Sequence, residues 1–168
     1  TEVGGVSFGG GTGRNVIISV DGGDNNDGVV RGLLQQFSAE AIQEYKVTTQ
    51  RYSAEFGRST GGVVNVITKS GTNDVRGSLF YQWRNDSLNS KGYFEEQQDL
   101  DKQPFKQQQF GATIGGPISK DKAFYFLSYE RNMRDDSAIV DTGGVLPAEE
   151  GPVAQPFRNN LLTAKLNF

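Results

Sequence analysis

Four segments in the second half of the chain repeat with a period of two. They are Gly77 to Trp83, Gln109 to Gly115, Lys122 to Arg131 and Leu161 to Phe168. In an extended strand, successive side chains point to opposite faces, so this period is what a strand with two different faces requires. The pattern therefore predicts four β-strands, each with a mainly apolar face and a second face of different composition.

The connections between these segments differ in length. Gly116 to Asp121 is a short polar turn, whereas Asn85 to Lys106 and Arg134 to Asn160 are long, polar and rich in turn-forming residues. Short turns that alternate with long loops are typical of membrane β-barrels, in which the long loops are extracellular. A soluble β-sandwich has the same alternation of faces, so the pattern leaves both folds open.

Charged residues avoid the apolar faces of the predicted strands. Lys165 falls on the polar face of its strand, and Arg84, Glu130 and Arg131 lie at strand ends. A lysine or arginine that faces lipid at the bilayer centre costs roughly 2–4 kcal/mol. In a barrel, we expect the apolar faces to contact lipid and the aromatic residues to lie at the membrane interface. The residues predicted to face lipid are Leu79, Tyr81, Tyr125, Leu127, Leu162 and Leu166, and the candidates for the interface are Tyr81, Trp83, Tyr125 and Tyr129.

The first 73 residues predict a separate, small α+β unit. Strands are predicted at Arg14 to Val20, Tyr45 to Thr49 and Gly61 to Lys69, with a short helix from Ser38 to about Tyr45. The strand from Gly61 is apolar on nearly both faces, so we expect it to be the central strand of this unit. The two glycines that open it indicate a backbone packed too closely for a Cβ.

Composition and charge exclude several function classes. The 168 residues carry a net charge of −3, so there is no basic surface of the kind that binds nucleic acid. The absence of cysteine excludes disulfides, thiolate metal sites and a cysteine nucleophile, and the absence of histidine removes the most common general base and metal ligand. The sequence is therefore not expected to be an enzyme.

Two motifs suggest ligand sites and fail on closer comparison. The acidic cluster of Asp21, Asp24 and Asp27 suggests calcium, but an EF-hand register would put Gly23 and Leu34 where Asp and Glu are needed, so a polar turn is the better interpretation. The glycine-rich run of residues 9–13 lacks the Gly-Lys pair and following helix of a phosphate-binding loop.

Three acidic pairs and one tryptophan also receive structural interpretations. Glu95 with Glu96, Asp135 with Asp136 and Glu149 with Glu150 are adjacent in sequence, so the carboxylates of each pair point apart on any regular element and are interpreted as solvated loop charges. Trp83 is interpreted as a packing or membrane-interface residue. No catalytic, cofactor-binding or metal-binding residue is predicted, and no motif identifies a substrate-binding residue.

Three segments of the chain resemble TonB-dependent outer-membrane receptors, and most closely their Oar-like branch. These segments are Asn15 to Asp27, Ala41 to Asn73 and Gln109 to Glu130. The resemblance implies that residues 1–73 are the C-terminal part of a plug domain. It also implies that residues 74–168 begin an antiparallel transmembrane β-barrel, with about four strands and long extracellular loops.

The resemblance also implies a function and a location. We expect TonB-dependent transport of a bulky solute across the bacterial outer membrane, with the plug gating the barrel lumen. The expected partners are outer-membrane lipid, an unidentified solute, and TonB through an N-terminal segment that this sequence does not contain. A closed bacterial barrel needs at least about eight strands, so a fragment of a longer protein is expected. The pattern alone also allows a soluble or cell-surface β-rich adhesion module.

Overall fold

The computed structural model describes residues 6–8, 15–29, 32–49, 52–53, 55–57, 59–91, 93, 96, 102, 104–140 and 151–168. Ten strands lie in these ranges, with short 3-10 helices at Ala39–Ala41 and Asp86–Leu88. The strands are β1 (Val16–Val20), β2 (Gly23–Asp24), β3 (Ile42–Thr48), β4 (Gly62–Thr68), β5 (Arg76–Asn85), β6 (Lys106–Ser119), β7 (Ala123–Asp135), β8 (Ser137–Val140), β9 (Gly151–Ala154) and β10 (Phe157–Asn167).

The first four strands form one mixed sheet, called the N-terminal sheet below, in the order β2-β1-β4-β3. β4 is parallel to β1, from Val16 opposite Gly62 to Val20 opposite Val66, and antiparallel to β3. This confirms the predicted strands around β1 and β4 and the central position of β4. The side chains of Val16, Ile18 and Val63 are buried.

A close backbone approach at the start of β4 explains one of its glycines. A Cβ on Gly62 would lie 2.9 Å from the Phe8 ring and 3.1 Å from the carbonyl oxygen of Thr48. The Phe8 ring could shift, but the Thr48 oxygen belongs to the backbone of the paired strand. The sequence prediction of close packing at this position is therefore confirmed.

The predicted helix from Ser38 to Tyr45 is wrong over most of its length. The Ser38 hydroxyl accepts a hydrogen bond from the Glu40 backbone N–H and caps a helix that contains only Ala39–Ala41. From Ile42 the chain is extended as β3, because it pairs with β4 up to Thr48 opposite Val63. Cross-strand pairing therefore overrides the local helical preference, and an irregularity in the register between Ile42 and Glu44 marks the transition.

The second sheet has the order β10-β7-β6-β5, so β5 and β10 are its edge strands. All four predicted strands are present, and all are longer than the alternation indicated. β6 continues to Ser119 and β7 starts at Ala123. A connection of three residues joins only antiparallel neighbours, so these two strands form a hairpin.

The two faces of these strands differ in which side chains are exposed and which are buried. Large apolar side chains of the predicted lipid-facing set are exposed, and Leu79 at 86% and Leu162 at 71% are the most exposed of them. Polar side chains on the opposite phase are buried, including Ser128 and Glu130 of β7. Of the predicted set, only Tyr125 is half-buried.

A two-stranded ribbon lies where a long loop was predicted. β8 and β9 pair antiparallel from Ser137 opposite Ala154 to Val140 opposite Gly151, and the Gln155 backbone N–H donates to the Asp136 carbonyl at 2.7 Å. Residues 141–150, at the tip of the predicted loop, lie outside the described residues. The connection predicted over 134–160 therefore contains a paired ribbon that the sequence pattern did not indicate.

The chain divides into two compact units. The first contains the residues up to Arg76 with Thr113–Ser128 and Leu162–Phe168, and the second contains Gly77–Ala112 and Tyr129–Leu161. The N-terminal sheet therefore lies in the same unit as one end of β6, β7 and β10. No helix in the described ranges is long and apolar enough to cross a membrane.

Candidate functional site

The first element of the site is the turn between β1 and β2. Val20 pairs with Gly23, so only Asp21 and Gly22 form the loop. Both have positive φ angles, 48° and 85°. Positive φ at both central residues defines the type I′ turn, which suits the right-handed twist of a hairpin and favours an Asp-Gly sequence. The turn predicted from the acidic cluster is therefore present.

The Asp21 side chain caps the end of the neighbouring parallel strand. Its carboxylate accepts a hydrogen bond from the Thr68 backbone N–H at 3.0 Å and a second one from the Thr68 hydroxyl. The Asp21 backbone N–H donates to the carbonyl of Val66 at 2.9 Å. Because β1 and β4 run parallel, their carboxyl ends meet at one edge of the sheet. The turn at Asp21 supplies hydrogen-bond partners for the backbone of β4 at this edge.

A lysine from β10 completes this arrangement. The Lys165 ammonium lies 3.1 Å from an Asp21 carboxylate oxygen. It also donates to the Thr68 hydroxyl at 3.0 Å and to the Thr68 carbonyl at 3.2 Å. The three donors of an ammonium group are thus directed at three oxygens. We call Asp21, Thr68 and Lys165 the Lys165 cluster.

The Lys165 cluster is better shielded from water than the other ion pairs of the described residues. Its lysine and aspartate side chains are 20% and 34% exposed, whereas both partners are at least 35% exposed in each of the others. Exposed ion pairs contribute only about 0–1 kcal/mol, and a hydrogen bond to a charged group contributes roughly 1.5–3 kcal/mol. Because Asp21 and Lys165 are partly exposed, we expect their ion pair to stabilise the fold by a free energy between that of an exposed ion pair and that of a charged hydrogen bond.

The environment of Asp21 favours its charged form. Partial burial alone would raise the pKa of this carboxyl group, but hydrogen bonds from Thr68 and Lys165 and the positive charge of Lys165 outweigh it. The pKa of Asp21 therefore lies below its ordinary value of 3.8. The ion pair is consequently fully formed at neutral pH.

A small cleft opens beside the cluster. Its volume is about 270 Å³, and its walls come from the N-terminal sheet, the loop after β2 and β10. Lys165, Thr163 and Ala164 line it from β10, opposite Asn25 and Phe37. Lys165 thus lies at the border of solvent, so its contacts with Asp21 and Thr68 can be exchanged for contacts with water.

The segment between β4 and β5 contacts the hairpin of β6 and β7. A Cβ on Gly71 would collide with the carbonyl oxygen of Tyr125 and would lie 2.7 Å from that of Gly116. Asn73 and Asp121 form a pair of hydrogen bonds, in which the Asp121 backbone N–H donates to the Asn73 side chain at 2.9 Å. The segment is therefore fixed against the hairpin of β6 and β7.

The other acidic side chains of the sequence motifs have structural roles. Asp24 and Asp27 each accept a hydrogen bond from a backbone N–H two residues later. Asp135 pairs with Arg158, and Asp136 lies 3.8 Å from Arg134. In the part of the chain that the structure describes, no group of three or more acidic or histidine side chains could hold a metal ion.

The remaining sequence candidates give no binding site. Trp83 is 47% exposed on the apolar phase of β5, as expected for a membrane-interface residue. Glu96 is exposed. Glu95, the pair Glu149 and Glu150, and the glycine-rich run of residues 9–13 lie outside the described residues.

The Lys165 cluster was missed by sequence reasoning. The Asp-Gly turn marked Asp21, and the alternation of β10 placed Lys165 on its polar face. No pattern connected the two, because Lys165 and Thr68 are 97 residues apart and meet only after the sheets form.

Comparison with known proteins gives a consistent result. A family described as "Outer membrane beta barrel domain" matches residues 67–152, about half of the chain. The TonB-dependent transporter Oar of Myxococcus xanthus is 40% identical over 129 residues, which cover 74% of this chain and 12% of that protein.

A second relative is similar in both sequence and structure. The probable TonB-dependent siderophore receptor PirA of Acinetobacter baumannii is 29% identical over 153 residues, covering 82% of this chain and 19% of the receptor. The crystal structure of the siderophore receptor PirA from that organism superposes with a TM-score of 0.58 at 25% identity, over 84% of this chain and 20% of that one. The chain therefore spans a fifth or less of the length of these relatives.

Proposed function

The chain belongs to the outer-membrane β-barrel proteins, among the TonB-dependent receptors, and we propose that it is part of a transporter that takes up a bulky solute by TonB-dependent transport. Its location is the bacterial outer membrane, and its relatives are transporters and receptors rather than enzymes. The solute, the energy coupling and the gating of the lumen belong to the proposal.

Within this proposal, residues 1–73 are the C-terminal part of the plug, and residues 74–168 are the first strands of the barrel. The N-terminal sheet supports a separate plug because it has its own central strand, β4, and its own buried side chains. The second sheet supports a barrel wall because large apolar side chains of one phase are exposed and several polar side chains of the other phase, including Ser128 and Glu130, are buried. A barrel requires an apolar lipid face and a polar lumen face.

The single observation that carries the proposal is the contact of Lys165 with Asp21 and Thr68. Lys165 extends from the face of β10 opposite the exposed Leu162 and Leu166. If that face lines the lumen, the lysine reaches inward to a domain that occupies the lumen. A solute then passes only when this domain moves, which is how a plug gates a barrel.

The partners follow from the same proposal. Outer-membrane lipid would contact the exposed face of Leu79 and Leu162, and TonB would engage a segment on the N-terminal side of the plug. The solute is the least defined partner. Because PirA is named as a siderophore receptor, ferric siderophores are the first class to test.

The test is an uptake assay in cells that lack the gene and are complemented with the full-length protein. Radiolabelled ferric siderophores, cobalamin and oligosaccharides would be offered with TonB present or deleted. We expect one solute class to accumulate only when both the protein and TonB are present. Surface binding of a ligand without TonB-dependent accumulation would contradict the proposal and would favour the adhesion module that the strand pattern alone leaves open.

A further inference from the structure

Within the part of the chain that the structure describes, two contacts of different physical character connect the N-terminal sheet and its exit segment to the strands β6, β7 and β10. One is the segment of Gly71 and Asn73 on the hairpin of β6 and β7. The other is the contact of Lys165 with Asp21 and Thr68. The difference between them indicates which one breaks when the N-terminal sheet moves.

The attachment at Gly71 is made largely by the backbone. The Gly71 backbone lies against the carbonyl groups of Tyr125 and Gly116, and nearby Asn73 exchanges two hydrogen bonds with Asp121. The segment also continues directly into β5, which starts at Arg76. It therefore cannot move far from the hairpin without disturbing the strand order of the second sheet.

The attachment at Lys165 is made by one flexible side chain. The ammonium group borders a solvent-open cleft, and water can replace each of its three contacts as it leaves. Intramolecular hydrogen bonds that exchange for hydrogen bonds to water have a small net free energy. This contact is therefore the one that can open and close without unfolding either sheet.

The hydrogen bonds of the Lys165 cluster fall into two groups, and the group within the N-terminal sheet remains when Lys165 withdraws. The hydrogen bonds from Thr68 to the Asp21 carboxylate, and the bond from the Asp21 N–H to Val66, all lie inside that sheet. Only the bonds of Lys165 reach β10. When Lys165 withdraws, the turn remains capped and the end of β4 remains satisfied.

We propose that the Lys165 cluster is the releasable attachment of the plug to the barrel wall, and that the Gly71–Asn73 segment is the permanent one. This inference rests on the proposed function, and it assigns the residues at which the plug parts from β10 during transport. Withdrawal of Lys165 from Asp21 and Thr68 would widen the cleft along Thr163 and increase the exposure of that half-buried residue to water.

The test measures the exposure of Thr163 in the full-length protein in outer membranes. Thr163→Cys would be labelled with a water-soluble maleimide, alone and combined with Lys165→Met. Methionine keeps much of the length of the side chain and removes its charge and donors. We expect labelling to accelerate roughly tenfold in the double variant, which corresponds to the loss of about one charged hydrogen bond.

Two matched variants separate the contact from general effects of charge removal. Lys106 is exposed at the start of β6, so Lys106→Met removes a lysine from another strand and should leave the labelling rate unchanged. Lys165→Arg retains a cationic donor and should restore most of the protection. Equal labelling rates in the Lys165→Met and Lys106→Met backgrounds would overturn the proposal.

The releasable attachment and the transport function can fail independently. If uptake depends on TonB but Lys165→Met leaves the labelling of Thr163→Cys unchanged, the releasable attachment is refuted and the transport function stands. The opposite outcome is that Lys165→Met speeds the labelling of Thr163→Cys while the unmodified protein accumulates no solute in a TonB-dependent way. In that case, the contact is confirmed as an attachment and the proposed function fails.

Discussion

At the residue scale, Asp21 contributes both to the turn between β1 and β2 and to the Lys165 cluster. Its positive φ angle permits the two-residue turn, and its carboxylate accepts hydrogen bonds from Thr68 and Lys165. Asparagine shares the tolerance for positive φ but has no charge. Asp21→Asn is therefore the substitution that removes the ion pair and keeps the turn.

The lowered pKa of Asp21 predicts how the Lys165 cluster responds to acid. A carboxyl group whose folded pKa is depressed contributes stability above its unfolded value, here 3.8, and loses that stability as the pH falls through the folded pKa. Asp24 lines the same cleft, so a second carboxyl group lies close to the Lys165 cluster.

We expect maleimide labelling of Thr163→Cys, corrected for the pH dependence of thiol reactivity, to be constant between pH 7 and pH 5. The labelling rate would also be measured at a pH below 3.8 with a thiol reagent that reacts in acid. We expect a higher labelling rate at this pH. In Asp21→Asn, labelling should be faster at neutral pH and nearly independent of pH. A rise between pH 7 and pH 5 in the unmodified cluster would contradict the assignment.

Gly71 predicts a steric effect at the other attachment. A Cβ at this position meets two carbonyl oxygens of the backbone, those of Tyr125 and Gly116, and neither can move as a side chain would. Overpacking of this kind costs typically about 1–3 kcal/mol. Gly71→Ala should therefore lower the thermal unfolding temperature of the full-length protein in detergent. Gly57→Ala, with nothing within 4 Å of the added Cβ, is the matched control and should leave it unchanged.

At the scale of elements, the sequence predicts strands correctly where apolar and polar side chains alternate regularly. It fails where pairing with a neighbouring strand determines the structure. All four strands of the second sheet were predicted, although β10 starts at Phe157 rather than at Leu161. The second half of the helix predicted to Tyr45 is a strand because β4 offers a pairing partner from Ile42 onward. The ribbon of β8 and β9 was missed because its residues carry no alternation.

The two phases of β10 predict different environments for neighbouring residues. Leu162 is 71% exposed, whereas Thr163 is half-buried and lines the cleft. Nitroxide labels at Leu162→Cys and Thr163→Cys in lipid vesicles should therefore respond to different quenchers. Molecular oxygen, which concentrates in lipid, should relax the label at 162 more strongly, and a water-soluble nickel complex should have the larger relative effect at 163. Equal responses at both positions would remove the assignment of the lipid face.

At the scale of the whole molecule, the resemblance in sequence identified the family, but only the structure shows the contact of Lys165 with Asp21 and Thr68. The segments that carry the resemblance include Asp21 and Thr68, and they end before Lys165. The partners of the lysine depend on the register of β10 in its sheet and on where β1 and β4 end. Neither is encoded in a local pattern, so the candidate site could not be predicted.

A charge in the N-terminal sheet tests whether that sheet is a plug. Val63 of β4 is the suitable position, because it is only 3% exposed, whereas Val66 on the same strand is half-buried. Val63→Asp would bury an unpaired carboxylate, which costs several kcal/mol in real proteins even after relaxation. Val47 on β3 is 45% exposed, so Val47→Asp makes the same chemical change at a tolerant position.

If the N-terminal sheet gates the lumen, Val63→Asp should unfold it inside a barrel that still assembles, because the barrel strands pair with one another. Cells that carry the full-length variant should then admit a large antibiotic, and energised uptake of the solute should be lost. The amount of protein in the outer membrane would be measured in parallel, so that a failure of assembly is recognised. Val47→Asp should leave both properties unchanged. Normal uptake without leakage in an assembled Val63→Asp variant would show that this sheet does not close the lumen, and the assignment of residues 1–73 to a plug would be rejected.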